Sequence, residues 1–452
     1  RLNAPPDSAP WELPPAAPDH ASVLALLERL ATLAPESLPD ADRLAAVAYR
    51  AGRYELATTF AQAKPTPLSA WVRAKLALRN GDQAAAASAY AEAAQGFAPQ
   101  ENWGSVPIFG DGFVSGGEPM QPHCRVQAEA GTLALARGDY VQALELLFAA
   151  AENYWADAAY VAERVVTVDE LKSFVDRVAP IAVQLPTRTE DSEELVMPPD
   201  QHVVYKLRWL LGRRLLREGR LPDAARYFDH AELRTQAQSY VDARAQATDA
   251  FFKIDQARAW FSAAQIARTH GLEILGYEGD PDYLLYDAQF DLNDPTTWDA
   301  EYNAIRNPRK DLALTGEFTT EGERTRVSAS RAQPLTRFHY RQVAAEHARQ
   351  AADLLPARSQ AFAATLCSAT RWLIDREPEP AAALYQRYLR EGAYVAWGNT
   401  FGRACPSPDF EKVIRERNAQ WLKRSTRVAL WMTPVLIAFG VLVVVRRRRK
   451  FA

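Results

Sequence analysis

LAAVAYRAGRYELATTFAQA, residues Leu44–Ala63, decides the fold. Gly52 divides it into two stretches whose small and apolar residues recur at helical spacing, so the segment reads as two helices joined by a tight turn. Ala45 stands before the turn, and Ala57 and Ala61 after it. Small side chains at those places let two antiparallel helices approach closely.

Working outward, the same frame returns in Arg73–Ala93 (RAKLALRNGDQAAAASAYAEA), Ala130–Ala150 (AGTLALARGDYVQALELLFAA) and Leu211–Ala231 (LGRRLLREGRLPDAARYFDHA). The turn glycines are Gly52, Gly81, Gly138 and Gly219, each followed by a small residue (Ala57, Ala86, Ala143, Ala224) and then by Ala61, Tyr90, Leu147 or Phe228. Before the turns stand Ala45, Ala74, Gly131 and Gly212.

On these residues the chain resembles the tetratricopeptide-repeat family. The positions that carry the resemblance are the Leu211–Gly212 pair, the Gly138–Asp139–Tyr140 turn, and the triplets Ala86/Tyr90/Ala93 and Ala224/Phe228/Ala231. The turns do not recur at the family's interval of about 34 residues, so inserts interrupt the array. A fifth helix pair, AFAATLCSATRWLIDREP and EPAAALYQRYLREG, keeps Ala381, Tyr385 and Tyr388 but has Glu377 and Pro378 at its turn. The resemblance implies an all-α helix-pair solenoid and no particular activity.

The 452 residues carry 53 Lys and Arg against 56 Asp and Glu, a balance that argues against a nucleic-acid binder. Three cysteines in so long a chain exclude a disulfide-built scaffold. Near the C-terminus, Val428–Val445 (VALWMTPVLIAFGVLVVV) is uncharged and about long enough at 1.5 Å per residue to span a bilayer. Arg446, Arg447, Arg448, Arg449 and Lys450 follow it as a stop-transfer tail would, although Lys412, Arg415, Arg417, Lys423, Arg424 and Arg427 precede it. The dense tail places the C-terminus in the cytoplasm and the bulk of the chain outside, with a tail-anchored cytoplasmic domain as the alternative. An oxidising compartment allows a bridge between Cys367 and Cys405, with three free thiols as the alternative.

Three inserts separate the repeats. Residues 96–121 are rich in Gly, Pro and aromatics and read as a loop; GDGFVSGG within them lacks the spacing of a phosphate-binding loop. In residues 155–201, Thr167 and Glu170 form a capping box ahead of a helix, and TRTEDSEELVMPPD reads as a linker. Residues 271–335 are the least helical part; acids crowd the run from Gly271 to Ile305, and YLLYDAQFDL suggests strand pairing. Asp280, Asp282, Asp287, Asp291, Asn293, Asp294 and Asp299 fail the EF-hand frame because Pro295 and Tyr302 fall at its ligand positions. Scattered histidines, and an adjacent His123–Cys124 pair whose side chains diverge on a helix, give no catalytic constellation.

One binding face remains. Lys206, Trp209, Arg213 and Arg217 share a helical face in the fourth repeat, and Trp71, Lys75 and Arg79 do so in the second. Tyr49, Arg50 and Arg125 hold matching positions in the first and third. In tetratricopeptide repeats the face holding these residues lines a concave groove that takes an acidic or C-terminal segment of a partner. A solvated charged face with packed tryptophans is the competing reading, and carbohydrate stacking a third.

The sequence thus predicts a Pro-rich linker over residues 1–20, helical repeats over 21–270, an irregular acidic insert over 271–335, further repeats over 336–427, a transmembrane helix over 428–445 and a basic tail over 446–452. The expected function is that of a membrane-anchored periplasmic scaffold that binds protein partners, with no catalytic residue, cofactor, metal or nucleic acid. The alternative is an enzyme or enzyme accessory with a site in the acidic insert and Gly-rich loop.

Overall fold

The computed structural model describes residues 20–110, 113–182, 202–286 and 318–422. These are helical throughout except for turns, connections and one hairpin, so the fold is all-α. The chain divides into two compact units: residues up to 181, 202–210 and 318–331 in the first, and 211–286 with 332–422 in the second. The division falls within a helix after Leu210, not at the expected boundary near residue 270.

The first unit begins with α1 (His20–Leu30), followed by the helix pairs α2/α3 (Ala41–Arg50, Tyr54–Ala63) and α4/α5 (Pro67–Arg79, Gln83–Gly96). After a hairpin come α6/α7 (Pro122–Ala136, Tyr140–Ala149), α8 (Ala151–Tyr160) with a π turn over Val161–Val165, and α9 (Val168–Val178). All four glycines of the repeat frame have φ between +74° and +81°, the left-handed conformation a side chain would strain. Ala45, Ala57, Ala74, Ala86 and Ala143 have no exposed surface. At Gly131 a Cβ would lie 2.7 Å from Leu147, which shows how close the helices of that pair come.

Local signals set the helix ends. Thr66 caps α4 by accepting from the Ser69 amide (3.2 Å), and Asp82 caps α5 at the Ala85 amide (2.9 Å). The capping box at α9 is present in both directions, Thr167 with Glu170.

The segment read as a loop over 96–121 contains an antiparallel hairpin, β1 (Ser105–Gly110) and β2 (Phe113–Pro119), pairing Ser105 with Pro119. Its glycines and prolines hid an alternation that strand periodicity would have required.

The fourth repeat starts as expected and then departs. Gly212 on α10 (Val203–Arg217) would place a Cβ 2.7 Å from Phe228, and Ala224 and Phe228 are both buried. Its second helix, however, is only α11 (Leu221–Ala224) followed by a single 3-10 turn. Arg234 captures the freed carbonyls of Phe228 (2.8 Å) and Asp229 (3.2 Å), and Ala231, expected as a packing alanine, is exposed and opens α12 (Ala231–Asp249).

In the second unit α13 (Lys253–Leu275) runs through Gly271, four residues past the expected start of the acidic insert. Leu284–Tyr286 is a 3-10 turn instead of a strand, and Tyr283 before it has φ at +55°; residues 287–292 of YLLYDAQFDL lie outside the described residues. The same insert holds an unforeseen helix of the first unit, α14 (Glu321–Ala329). Then come α15 (Tyr340–Leu354), α16 (Gln360–Leu373), α17 (Pro378–Glu391) and a helix over 410–422. Ile254, Phe261, Phe362, Leu366, Tyr388 and Val413 build its core, and a disulfide joins Cys367 to Cys405. Cys124 is a buried free thiol.

Among the described residues no helix is long and apolar enough to cross a membrane. The run Val428–Val445, its basic tail and the linker before residue 20 lie outside them.

Candidate functional site

In the first unit, the first helices of successive pairs turn a common set of side chains toward one carboxylate. Trp71 and Lys75, one turn apart on α4, donate to Glu129 of α6 through the indole nitrogen (2.7 Å) and the ammonium (2.9 Å). Tyr90 of α5 donates its hydroxyl to the same carboxylate (3.1 Å), and the Arg125 Nε stands 3.6 Å away. Burial first, and then Glu129, hold the Tyr90 phenol protonated far above its ordinary range.

Aromatic rings surround this centre. Lys75 sits 5.4 Å from the Trp71 ring, and Trp71, Phe97 and Trp103 pack with centroids about 6 Å apart. Trp103 remains 45% exposed and offers a contact surface. At the end of α4, Arg79 lies over the ring of Tyr54 from the preceding pair at 3.8 Å, with Tyr49 packed edge-on against Tyr54. Arg50 is exposed.

Sequence reasoning named Trp71, Lys75, Arg79, Arg50 and Arg125 but missed Glu129, on which three of them converge. The available signal was its position one turn after Arg125 on the same helix face. Lys75 and Arg125 are the two cations placed against this carboxylate.

The α10 residues behave differently. Lys206 sits 5.8 Å from the Trp155 ring, and Trp209 packs on Tyr205 at 5.7 Å. Arg213 is wholly buried; it pairs with buried Glu278 and donates to the Gly276 carbonyl at 3.1 Å. Arg217 donates to the carbonyls of Leu275 and Gly276 and covers the Tyr277 ring at 3.9 Å. Arg213 therefore is a structural cation and no part of a groove. Its face looked solvated in sequence because the acid that answers it is 65 residues away.

The second unit also contains a cleft of about 770 Å³, lined by Tyr240, Arg244, Tyr277, His339, His347 and Arg390 among others. The Tyr240 hydroxyl and the His347 Nε2 are 2.8 Å apart, and Arg244 donates to the Tyr240 oxygen (3.2 Å) while lying 4.8 Å from the Trp260 ring. Burial, helped by Arg244, pushes the His347 pKa down to about 3, and burial raises that of Tyr240. Asp282, expected as a loop acid, is fully buried: it accepts from the Tyr277 amide (3.0 Å) and the His339 amide (3.2 Å), and its carboxylate lies 2.6 Å from the His339 Nδ1. It is thereby committed to holding the entry of α15.

Among the described residues no group of three or more His, Cys, Asp or Glu gathers as metal ligands would. Comparison with protein-family models, with curated proteins and with solved structures finds no match to this chain.

Proposed function

We propose that this protein is a tetratricopeptide-like scaffold, anchored through Val428–Val445 with its bulk outside the cytoplasm, that captures acidic or C-terminal segments of partner proteins. The observation that carries the reading is the convergence of Trp71, Lys75, Tyr90 and Arg125 on Glu129, a set of donors built around a carboxylate and flanked by exposed aromatic surface. Cationic side chains beside Trp rings suit an extended acidic peptide, with the rings supplying rigid contact area. Arg79 and Arg50 extend the positive face along the chain's earlier pair.

Two further features support it. The Cys367–Cys405 disulfide suits an oxidising compartment. In the cleft, His347 and Tyr240 are pushed away from neutral pH in opposite directions, whereas proton transfer favours groups poised near it.

Glu129 makes the reading testable, because it competes internally for the cations a partner would use. With a synthetic peptide ending in consecutive Glu residues and a free carboxylate, titrated into the full chain, Lys75→Ala should weaken binding by about tenfold, the equivalent of ~1.5 kcal/mol for a charge-assisted contact. Glu129→Gln should strengthen binding, and added salt should weaken it. Equal affinities for wild type and both variants across salt concentrations would sink the groove.

A further inference from the structure

Residues 250–252 connect α12 to α13 in the second unit, and they carry two phenyl rings outward. Phe251 is 90% exposed and Phe252 48% exposed, with the rings edge-on at 4.9 Å. The backbone beneath them is tied down. The Phe252 carbonyl accepts from the Asp255 and Gln256 amides (2.9 and 3.0 Å), and the Gln256 side-chain amide donates to the Ala250 carbonyl (2.8 Å). The rings stand on a fixed turn.

The helix over 410–422 passes this turn. It enters the core through Val413 and is joined to α13 by the ion pair of Glu411 with Arg258. One turn on, Arg417 lies 4.8 Å from the Phe252 ring centroid, and one further turn, about 5.4 Å along the axis, brings Trp421, 70% exposed. Val413, Arg417 and Trp421 follow at i, i+4 and i+8, so the face that packs on α13 continues to Trp421 and there meets solvent. Exposed aromatic surface gathered in this way marks a contact.

The chain itself points to what is contacted. Val428, where the uncharged run begins, follows Trp421 by seven residues, so even a fully extended chain keeps the two backbones within about 25 Å. From Lys412 to Arg427 there are six basic residues and one acid, Glu416, a balance that anionic headgroups attract. Lys253, the first residue of α13, adds an exposed cation beside the rings.

We propose that Phe251, Phe252 and Trp421 form an interfacial wedge, a second contact of this unit with the lipid bilayer. The rings enter the boundary between headgroups and acyl chains, the level that aromatic side chains favour, while the flanking cations meet anionic headgroups. A single tether lets a domain swing about its linker; a wedge from a distant part of the sequence fixes which face of the unit is turned to the bilayer. The inference rests on the anchor of the proposed function, but neither on which side of the membrane the bulk occupies nor on the peptide groove.

Fluorescence quenching by lipid tests it. The full chain, with Cys124→Ser removing its free thiol, is reconstituted into vesicles of phosphatidylglycerol and phosphatidylcholine, with and without 5-doxyl phosphatidylcholine. An environment-sensitive fluorophore on Phe251→Cys should lose at least about half its intensity to the doxyl lipid, as expected of a group roughly 5–10 Å into the interface. With Phe252→Ser and Trp421→Ser added, that quenching should fall at least about twofold; undiminished quenching would assign it to the label and overturn the role of the rings. All these side chains are exposed, so an unchanged melting temperature is expected of each variant. The same fluorophore on Ser425→Cys reads the anchor. Quenching at 425 without quenching at 251 overturns the wedge and keeps the anchor, quenching at neither overturns both, and quenching at 251 alone upholds the lipid contact and overturns the anchor. A label at 251 that is screened from aqueous iodide yet untouched by doxyl lipid means that protein covers the rings, and it too overturns the proposal.

Discussion

At the scale of single residues, Arg213 and Glu278 are where periodicity and structure part. Helical spacing places Arg213 on the same face as Lys206, Trp209 and Arg217, and that spacing is correct. It carries no information on whether the face meets solvent, because Glu278 comes from a distant segment that only folding brings near. A buried ion pair stabilises little relative to a well-packed apolar pair, yet removing one member strands the other charge. Arg213→Ala is therefore expected to cost ~3–5 kcal/mol, read as a lower denaturant midpoint, where a solvated arginine would cost about 0–1 kcal/mol. Arg213→Met together with Glu278→Leu should recover most of the loss. If the single variant melts with the wild type, the pair is not buried in solution. Glu129 shows the complementary case: its neighbours were legible, its own role was not, since an acid on a basic face looks like a solvated one until three donors arrive from other helices.

At the scale of elements, the helix pairs were largely legible because glycine and alanine act through local geometry and close contact. The left-handed φ of Gly52, Gly81, Gly138 and Gly219 needs no distant partner to be inferred, and the buried alanines follow from the interval to the turn. What escaped was anything set by a competing local interaction. The fourth pair's second helix stops after one turn because Arg234 offers the carbonyls of Phe228 and Asp229 an alternative to helix bonding. The hairpin over 105–119 escaped because its strands are short and broken by Gly and Pro. The shared frame has a mechanical consequence at Gly212 and Ala86. Gly212→Ala drives a methyl to within 2.7 Å of the Phe228 ring, and Ala86→Trp fills a contact with no exposed surface. Each should destabilise by at least ~1–3 kcal/mol as an overpacked site, while Ala231→Trp, at an exposed helix start, should be nearly neutral. Thermal melts that rank Ala231→Trp as the most harmful of the three would mean that Ala231 packs as the repeat frame has it, against its exposed place at the start of α12.

At the scale of the whole molecule, chain order and structural order differ. The first unit is not a contiguous N-terminal piece: it takes back residues 318–331 after the chain has entered the second. The returning helix α14 is held by polar contacts. Tyr160 donates to buried Glu323 (2.7 Å), Tyr140 meets the Thr320 hydroxyl (3.2 Å), Arg164 donates to the Ser330 carbonyl (2.6 Å), and Arg326 donates to Glu170 (2.6 Å). Glu170 thus serves two elements, capping α9 through Thr167 and anchoring α14 through Arg326. Burial raises its pKa, but the hydrogen bonds from Arg326 and from Thr167 outweigh that and leave it below the usual carboxylate range. Because the folded value is depressed, this contribution is present above the unfolded carboxylate's pKa and fades as pH falls through the folded one. Arg326→Ala should cost ~1–2 kcal/mol, toward the low end for a charged hydrogen bond because the pair is partly solvated. The loss should appear in one place. In hydrogen exchange of the full chain at neutral pH, amides of α9 and α14 should exchange faster, those of α15 and α16 should not change, and the difference between variant and wild type should shrink as Glu170 protonates. Acceleration confined to the second unit would mean that residues 318–331 belong with it, and that the division drawn through the chain at 331 is misplaced.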